Sequence, residues 1–191
     1  MRAAFDIMGG DNAPEAIVKG ALDFARAYPH DDVILVGTEE VLDNLKAVPA
    51  NARAVVCGSV MAMDEDVRSL LKKKDSSIWV ATEMVKKGEA DAVISAGSTG
   101  AQMASATLLL GRLKGCERPA ISIIVPTPEG PKLLLDAGAN ADCTPELLLS
   151  FAKMGDVYAR QLLDYAEPRV GLLTNGTEDH KGNKLTAAAY A

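Results

Sequence analysis

Residues 92–101 have the sequence AVISAGSTGA and establish the fold class of the chain. The first four are mostly apolar, as in a strand covered on both faces, and a helical pattern begins at Thr99 and continues to Arg112. Glycine and hydroxyl residues fill the turn between them, so the backbone can bend tightly and the first amides of the helix stay unpaired. Unpaired amides at a helix start attract anions. Ile94 to Ala101 is therefore predicted to bind an oxyanion, with phosphate as the expected ligand.

The same alternation of apolar runs and helical segments continues along the chain and predicts βαβ units around a mostly parallel sheet. The expected strands are Ala3–Ile7, Val33–Val36, Ala54–Cys57, Ala92–Ser95, Ala120–Val125, Lys132–Leu135 and Val170–Leu173. The expected helices are Pro14–Arg26, Thr38–Lys46, Glu65–Lys73, Ser77–Lys87, Thr99–Arg112, Pro145–Tyr165 and a short one from Leu185. Two prolines and a glycine at Thr127 to Pro131 predict the tip of an antiparallel hairpin near 120–136. We expect a single α/β domain over residues 1–191.

Composition limits the classes of function. Hydrophobic residues make up 48% and charged residues 24%, as in soluble globular proteins, and aromatic residues at 4% are too few for a base-stacking surface. The net charge of -6 also argues against broad attraction to nucleic acid, so no nucleic-acid partner is expected. The three separated cysteines favour reduced thiols over disulfides or a zinc site. An acid at position 6 and the lack of a long apolar run predict a cytoplasmic protein.

Four predicted strand ends are polar and rich in glycine: Asp6–Pro14, Ser95–Ala101, Asp136–Asp142 and Thr174–Lys184. Ligands of open parallel sheets bind beyond the carboxyl ends of the strands, so we expect these turns to converge on one site. One such turn alone is more often a capped tight turn without a ligand, but agreement among four favours a site. Neither a P-loop nor a G-x-G-x-x-G motif occurs.

Basic residues are dense only at Arg68, Lys72, Lys73 and Lys74, just before Ser76 or Ser77, which is expected to cap the next helix. This cluster is either a solvated helix end or a docking spot for an anion or an acidic partner. Neither His30 nor His180 completes a His-Asp-Ser arrangement. Lys181 and Lys184 follow a predicted strand and could polarise a carbonyl or hold phosphate, or they could belong to a solubilising loop.

Five motifs together resemble the bacterial phosphate acyltransferase family PlsX. They are Asp6–Asp11 with Ala13–Pro14, Ile94–Ala101, Gly111–Arg112 with Arg118–Ala120, Leu134–Asn140, and Gly176–Glu178 with Lys181–Asn183. Any one of them would be weak, but five in register make chance resemblance very improbable.

The resemblance implies transfer of a fatty acyl group from acyl carrier protein to inorganic phosphate, giving acyl phosphate for phospholipid synthesis. It also implies a fold like that of the isocitrate and isopropylmalate dehydrogenases, a homodimer and no cofactor or metal. The family has asparagine where this chain has Ser98, and its chains continue past Ala191 into a helical region associated with dimer and peripheral membrane contact. The chain is therefore expected to be an incomplete family domain, with membrane association limited to the full-length form.

Roles for individual residues follow from the resemblance and from the chemistry of phosphate as a nucleophile. The expected catalytic residues are Lys184, with Asn140 or Asn175 stabilising the oxyanion, and Asp136. The expected substrate-binding residues are Asp6, Gly9, Gly10, Asp11, Ser95, Gly97, Ser98, Thr99, Gly100, Glu178 and Lys181, with Arg68, Lys72, Lys73 and Lys74 for the carrier. Asp6, Asp11 and Asp136 would orient the site.

Two other functions stay open at this point. One is a metal- and NAD-dependent hydroxyacid dehydrogenase, which shares the implied fold but would need clustered metal-binding aspartates that this stretch lacks. The other is a non-catalytic module that binds phosphate or the carrier protein, because the four turns suit a binding protein as well as an enzyme.

Overall fold

The structure is a computed structural model that describes residues 1–176, 178 and 181–191. The chain divides into two compact units, Met1–Gly111 and Arg112–Ala191. The single domain that the sequence suggests stays a prediction.

The first unit is a parallel four-stranded sheet with helices. Its strands are β1 (Arg2–Asp6), β2 (Asp32–Gly37), β3 (Ala52–Val56) and β4 (Ala92–Ser95), in the spatial order β3-β2-β1-β4. Its helices are α1 (Glu15–Ala27), α2 (Glu39–Asp43), α3 (Ser77–Lys86) and α4 (Thr99–Leu109), with a 3₁₀ helix at Val67–Leu71. The strand register places Asp6 of β1 opposite both Val36 of β2 and Ser95 of β4. The carboxyl ends of these three strands therefore lie side by side.

Both faces of this sheet are covered because successive side chains of a strand point to opposite sides. On one face Phe5 and Leu35 pack with Leu22 of α1, and on the other Ile34 packs with Met84 of α3. Apolar side chains thus fill the middle positions of the two central strands, Ala3–Phe5 and Val33–Val36, which explains the nearly continuous apolar runs of the sequence. The mostly parallel sheet flanked by helices is confirmed.

The second unit contains an antiparallel pair and two further helices. These elements are β5 (Ser122–Val125), β6 (Lys132–Leu135), α5 (Pro145–Leu162) and α6 (Lys184–Tyr190). At the tip of the pair, the amide of Gly130 donates to the carbonyl of Thr127, and the Thr127 hydroxyl donates to the Gly130 carbonyl at 2.7 Å. Gly130 has φ of +103°, a conformation that only glycine adopts freely. The predicted hairpin is confirmed, and its strands form a sheet of their own.

Two predicted elements are wrong. Residues 170–173 form no strand, since none of the described residues pairs with them, and a lone strand has no partner for its backbone groups. Val170 and Leu173 are instead 61% and 76% exposed. The predicted α-helix at Glu65–Lys73 is a short 3₁₀ helix, which the Asp66 carboxylate caps by accepting from the Arg68 amide.

Two smaller features complete the description. Within the described residues no helix has the length and apolar character needed to cross a bilayer. The cysteines are free thiols, and burial raises the pKa of Cys57 to about 11, so this thiol is inert at neutral pH.

Candidate functional site

Two of the four predicted turns meet at the end of the first unit's sheet. Because β1 and β4 are neighbouring parallel strands, the turn after Asp6 and the turn after Ser95 leave the sheet side by side. A Cβ built on Gly9 would lie 3.0 Å from the Cα of Gly97, and one built on Gly10, which has φ of +125°, would lie 3.2 Å from the carbonyl oxygen of Ala96. Only glycine allows this approach, which explains the paired glycines of the first motif.

A hydrogen-bonded chain lies within these turns. Asp6 is only 2% exposed, and its carboxylate accepts a 2.8 Å hydrogen bond from the Ser95 hydroxyl. The Ser95 oxygen in turn accepts from the Gly97 amide at 3.0 Å. The Met8 amide donates to the other carboxylate oxygen at 3.3 Å. The strand ends, the turns and the buried acid therefore form one connected unit.

The start of α4 presents the amides expected to bind an anion. Ser98 is its N-cap, and the Ser98 hydroxyl accepts from the Ala101 amide at 3.5 Å. The amides of Thr99 and Gly100 lie in the first turn of α4, where no carbonyl of the helix can accept a hydrogen bond from them. The Gly100 Cα faces the 3₁₀ helix so closely that an added Cβ would lie 2.6 Å from Cγ2 of Val67. Sequence reasoning missed Val67, because nothing distinguishes it from other apolar residues.

The basic cluster is less cationic than its sequence suggests. Arg68 pairs with Asp66 at 2.8 Å, and Lys73 pairs with Glu65 at 2.8 Å. The hydrogen bond from Lys73 holds the pKa of Glu65 below its ordinary value. Lys72 and Lys74 are exposed and make no ion pair with any described residue, and the Lys74 ammonium lies 5.9 Å from the ring centre of Trp79.

The expected cap of α3 is only half right. Ser76 occupies the N-cap position, but its side chain makes no capping hydrogen bond. Its hydroxyl is fully buried and has no partner among the described residues. The helix start is held instead by the backbone, through the Ser77 amide and the Ser59 carbonyl.

In the second unit, Asp136 organises the third turn. One carboxylate oxygen accepts from the amides of Ile121 and Ala139 at 2.8 and 3.1 Å, and the other accepts from the Asn140 amide at 2.8 Å. Burial favours the neutral acid, but these hydrogen bonds outweigh it and hold the pKa of Asp136 below its ordinary value. Asp136 is thus an ionised acceptor with its oxygens occupied.

Asn140 is equally occupied. Its side-chain nitrogen donates to the Pro119 carbonyl at 3.0 Å and to Asp136 at 3.1 Å, which uses both hydrogens of the amide. An amide flip would set its oxygen against two acceptors, so this orientation is the only consistent one. The predicted oxyanion role of Asn140 would require one of these bonds to break.

The fourth turn leads into α6. Asn183 and Thr186 form a reciprocal capping box, and exposed Lys184 is the first helical residue. Asn175 reaches this turn by accepting from the Gly182 amide at 3.1 Å through its side-chain oxygen. The Lys181 amide donates to the Glu178 carbonyl, and both side chains are exposed. Thr177 of the resembling motif and His180 lie outside the described residues.

Two of the four turns, Asp6–Pro14 and Ser95–Ala101, therefore lie side by side in the first unit, and the other two belong to the second unit. Convergence of all four stays a prediction. Exposed Asp11 makes no side-chain hydrogen bond with another described residue. No three His, Cys, Asp or Glu side chains within the described ranges cluster as metal ligands would.

Comparison with known proteins identifies the family of the chain. Residues 1–191 match the family model described as fatty acid synthesis protein. The chain is 54% identical over 194 residues to the phosphate acyltransferase of Desulfitobacterium hafniense (strain DCB-2) and 52% identical over 196 residues to that of Heliobacterium modesticaldum. Both alignments cover 100% of this chain but 58% of the relative, so the chain spans less than two thirds of their length.

A solved structure shares the fold. The EutD phosphotransacetylase from Staphylococcus aureus superposes with a TM-score of 0.59 at 17% identity, covering 83% of this chain and 52% of that one. At this level of identity the likeness concerns the fold alone.

Proposed function

The chain belongs to the fatty acid synthesis protein family, and on that premise we propose that the protein containing it transfers an acyl group to inorganic phosphate, as the name of its phosphate acyltransferase relatives states. The observation that carries the proposal is the contact between Gly9 and Gly97 beside the start of α4. Two glycine turns and the unpaired amides of a helix start, which lie together at the carboxyl end of the sheet, suit a compact, strongly charged anion such as phosphate.

Such a reaction asks little covalent chemistry of the protein. Phosphate carries a negative charge and attacks the carbonyl carbon of a thioester through one oxygen. The C–O bond forms, the C–S bond breaks, and the sulfur leaves as a thiolate that takes a proton from solvent. The protein has to hold the phosphate against the carbonyl and stabilise the oxyanion of the tetrahedral intermediate. The amides of Thr99 and Gly100, with the hydroxyls of Ser98 and Thr99, would hold the phosphate.

Lys184 is the proposed oxyanion stabiliser. It is exposed, and its side chain makes no hydrogen bond or ion pair with any other described residue. Asn175 is the better of the two proposed amide partners, because it uses its oxygen towards Gly182 and keeps its nitrogen for a ligand. Asn140 would first have to release Pro119 or Asp136.

The acyl donor proposed is acyl carrier protein, and its docking site is the surface around the basic cluster. Since Arg68 and Lys73 already pair with acids, Lys72 and Lys74 would supply most of the attraction. The resemblance further supports a homodimer in the cytoplasm, peripheral membrane contact by the longer protein, and a wider kinship with the isocitrate and isopropylmalate dehydrogenase fold.

The decisive assay measures free carrier thiol released from long-chain acyl carrier protein with and without inorganic phosphate, in the longest natural protein that contains this chain. Phosphate-dependent release with formation of acyl phosphate is expected. Lys184→Ala should lower kcat by about 100-fold if it supplies one oxyanion contact. Lys19→Ala, which removes an exposed lysine of α1, is the control.

Other outcomes would contradict the proposal. Phosphate binding without thiol release would identify a binding module, and NAD-dependent oxidation of a hydroxyacid would identify a dehydrogenase. Unchanged turnover in Lys184→Ala would remove that residue from the chemistry.

A further inference from the structure

We propose that Asp6 and Ser95 do not touch the substrate, and that Asp6 is a positioning residue that acts through Ser95 on the amide of Gly97 and thereby sets the affinity of the neighbouring turn for phosphate. This inference rests on the proposed function, and it divides the turn residues into those that hold the ligand and those that hold the turn.

The direction of each hydrogen bond in the chain follows from counting protons. A serine hydroxyl has one hydrogen, and the 2.8 Å bond to the Asp6 carboxylate uses it, because a carboxylate only accepts. The Ser95 oxygen is then left as an acceptor, and the Gly97 amide fills that place at 3.0 Å. The order is Gly97 amide to Ser95 hydroxyl to Asp6 carboxylate, with no alternative orientation.

Burial strengthens this series of hydrogen bonds and makes it rigid. Asp6 is 2% exposed and ends β1, where pairing with β2 and β4 fixes its backbone. Hydrogen bonds to a buried carboxylate are stronger than hydrogen bonds between neutral groups. The second carboxylate oxygen accepts from the Met8 amide, so the acid holds the first turn as well as the second.

The groups of this chain are therefore unavailable to a ligand. The Ser95 hydroxyl and the Gly97 amide already donate their hydrogens within the turn. The Asp6 carboxylate would repel a phosphate anion. Within the turn after β4, phosphate is left with the donors that follow, from Ser98 to Gly100. The hydrogen bonds from Gly97 to Ser95 and from Ser95 to Asp6 instead fix the orientation of the backbone that leads into those donors.

The closeness of the two turns supports the same conclusion. A Cβ on Gly9 would lie 2.5 Å from the Asp6 carboxylate and 3.0 Å from the Ser95 hydroxyl. The acid and the hydroxyl thus lie directly against the contact between Gly9 and Gly97. A change in either side chain is expected to shift both turns.

Two measurements on the same variants test the inference. The first is solvent exchange of the Gly97 amide proton by NMR of the 15N-labelled chain without ligand, and the second is the Kd for inorganic phosphate by calorimetry. The variants are Asp6→Asn, Ser95→Ala and the double variant, with Asp43→Asn as a control that removes an exposed acid of α2.

We expect exchange of the Gly97 amide to rise at least tenfold in both single variants and the phosphate Kd to rise about tenfold. The double variant should be no worse than the worse single one, because both residues act along one path. Asp43→Asn should change neither. If Asp6→Asn does not fold, Ser95→Ala, which removes a single oxygen, carries the test.

Unchanged Gly97 exchange in Ser95→Ala would overturn the inference, as would additive effects on the phosphate Kd. Faster exchange with an unchanged Kd would overturn it too, since the turn would then be ordered without serving the ligand. Failure of the proposed function is recognised separately, because thiol release is measured in another assay and amide exchange needs no ligand.

Discussion

Gly9 and Gly97 approach each other so closely that a Cβ on either one would lie about 3 Å from the Cα of the other, at 3.0 and 3.1 Å. They belong to turns that follow neighbouring parallel strands, and the buried Asp6 lies against both. The contact joins the first glycine motif of the chain to the start of α4. It is also the feature of the candidate site that is easiest to perturb.

Gly9→Ala tests this contact directly. The new methyl group would lie 2.5 Å from the Asp6 carboxylate, so the turns must separate, at a cost of about 1–3 kcal/mol in the free energy of unfolding. The free energy of unfolding measured with urea should fall, and the phosphate Kd should rise. Gly20→Ala is the control, because a Cβ there meets nothing within 4 Å and alanine favours helix α1 by about 1 kcal/mol. A Gly9→Ala variant as stable as the wild type would show that the turns separate freely.

Gly100→Ala tests the contact between α4 and the 3₁₀ helix. The added Cβ would lie 2.6 Å from Val67 and push the 3₁₀ helix, which carries Arg68, away from α4. We expect the KM for acyl carrier protein to rise, and we expect Val67→Ala in the same chain to restore it by making room. Steady-state kinetics of the two single variants and the double variant measure this, and failure of the second change to rescue the first would contradict a steric cause.

How far the sequence alone leads is clear from particular elements. The strand at Ala92–Ser95 and the turn after it are predictable, because an apolar run followed by glycine and hydroxyl residues is a local signal. The approach of Gly9 to Gly97 is not, because it depends on strand order, which brings β1 beside β4. The apolar run at 170–173 misleads, since hydrophobicity does not supply the partner that a strand needs.

Charge was the other limit on sequence reasoning. A run of lysines suggests a cationic surface, but whether each one is paired depends on backbone geometry. The turn after the 3₁₀ helix brings Lys73 back to Glu65, and local capping brings Arg68 to Asp66. For the same reason the sequence could name Asn140 as a candidate donor but could not reveal that both of its hydrogens are already used.

Lys72 and Lys74 should therefore account for most of the attraction of an acidic carrier. Replacing both with alanine is expected to raise the KM for the carrier about tenfold at low salt and to leave the KM for phosphate unchanged. The effect should shrink as ionic strength rises, because exposed charges are screened. Kinetics at two salt concentrations measure it, with Lys19→Ala, which removes an exposed lysine of α1 that pairs with Asp23, as a control. A salt-independent effect would argue against electrostatic docking.

Asp136→Asn should make the chain less stable and its stability less dependent on pH. The folded pKa of Asp136 lies below its unfolded value, so its contribution is fully present above the unfolded pKa and is lost as the pH falls through the folded pKa. Asparagine supplies one acceptor and one donor group where three backbone amides need acceptors, at a cost of about 2 kcal/mol. Urea unfolding at neutral pH and in acid measures the free energy of unfolding of both proteins, and the difference between them should be smaller in acid. A difference that does not change with pH would contradict the lowered pKa of Asp136.

Ser98 separates the structural from the binding role of the α4 start. Its hydroxyl caps the helix by accepting from the Ala101 amide, so Ser98→Ala should cost about 1 kcal/mol in the free energy of unfolding. Thr144 caps α5 in the same way through the Leu147 amide, and Thr144→Ala should cost a similar amount. Only the Ser98 variant should also weaken phosphate binding, because only Ser98 adjoins the proposed ligand.

Ser98→Asn completes the comparison. Asparagine caps a helix as well as serine does, so stability should return to the wild-type value. Its longer side chain also carries two amide hydrogens that a phosphate oxygen can accept, so the Kd for phosphate should equal or fall below that of the wild type. Urea unfolding and calorimetry of the three variants measure both quantities. If Ser98→Asn restored stability but bound phosphate no better than Ser98→Ala, the side chain at this position would be a cap alone, and the ligand would be held by backbone amides.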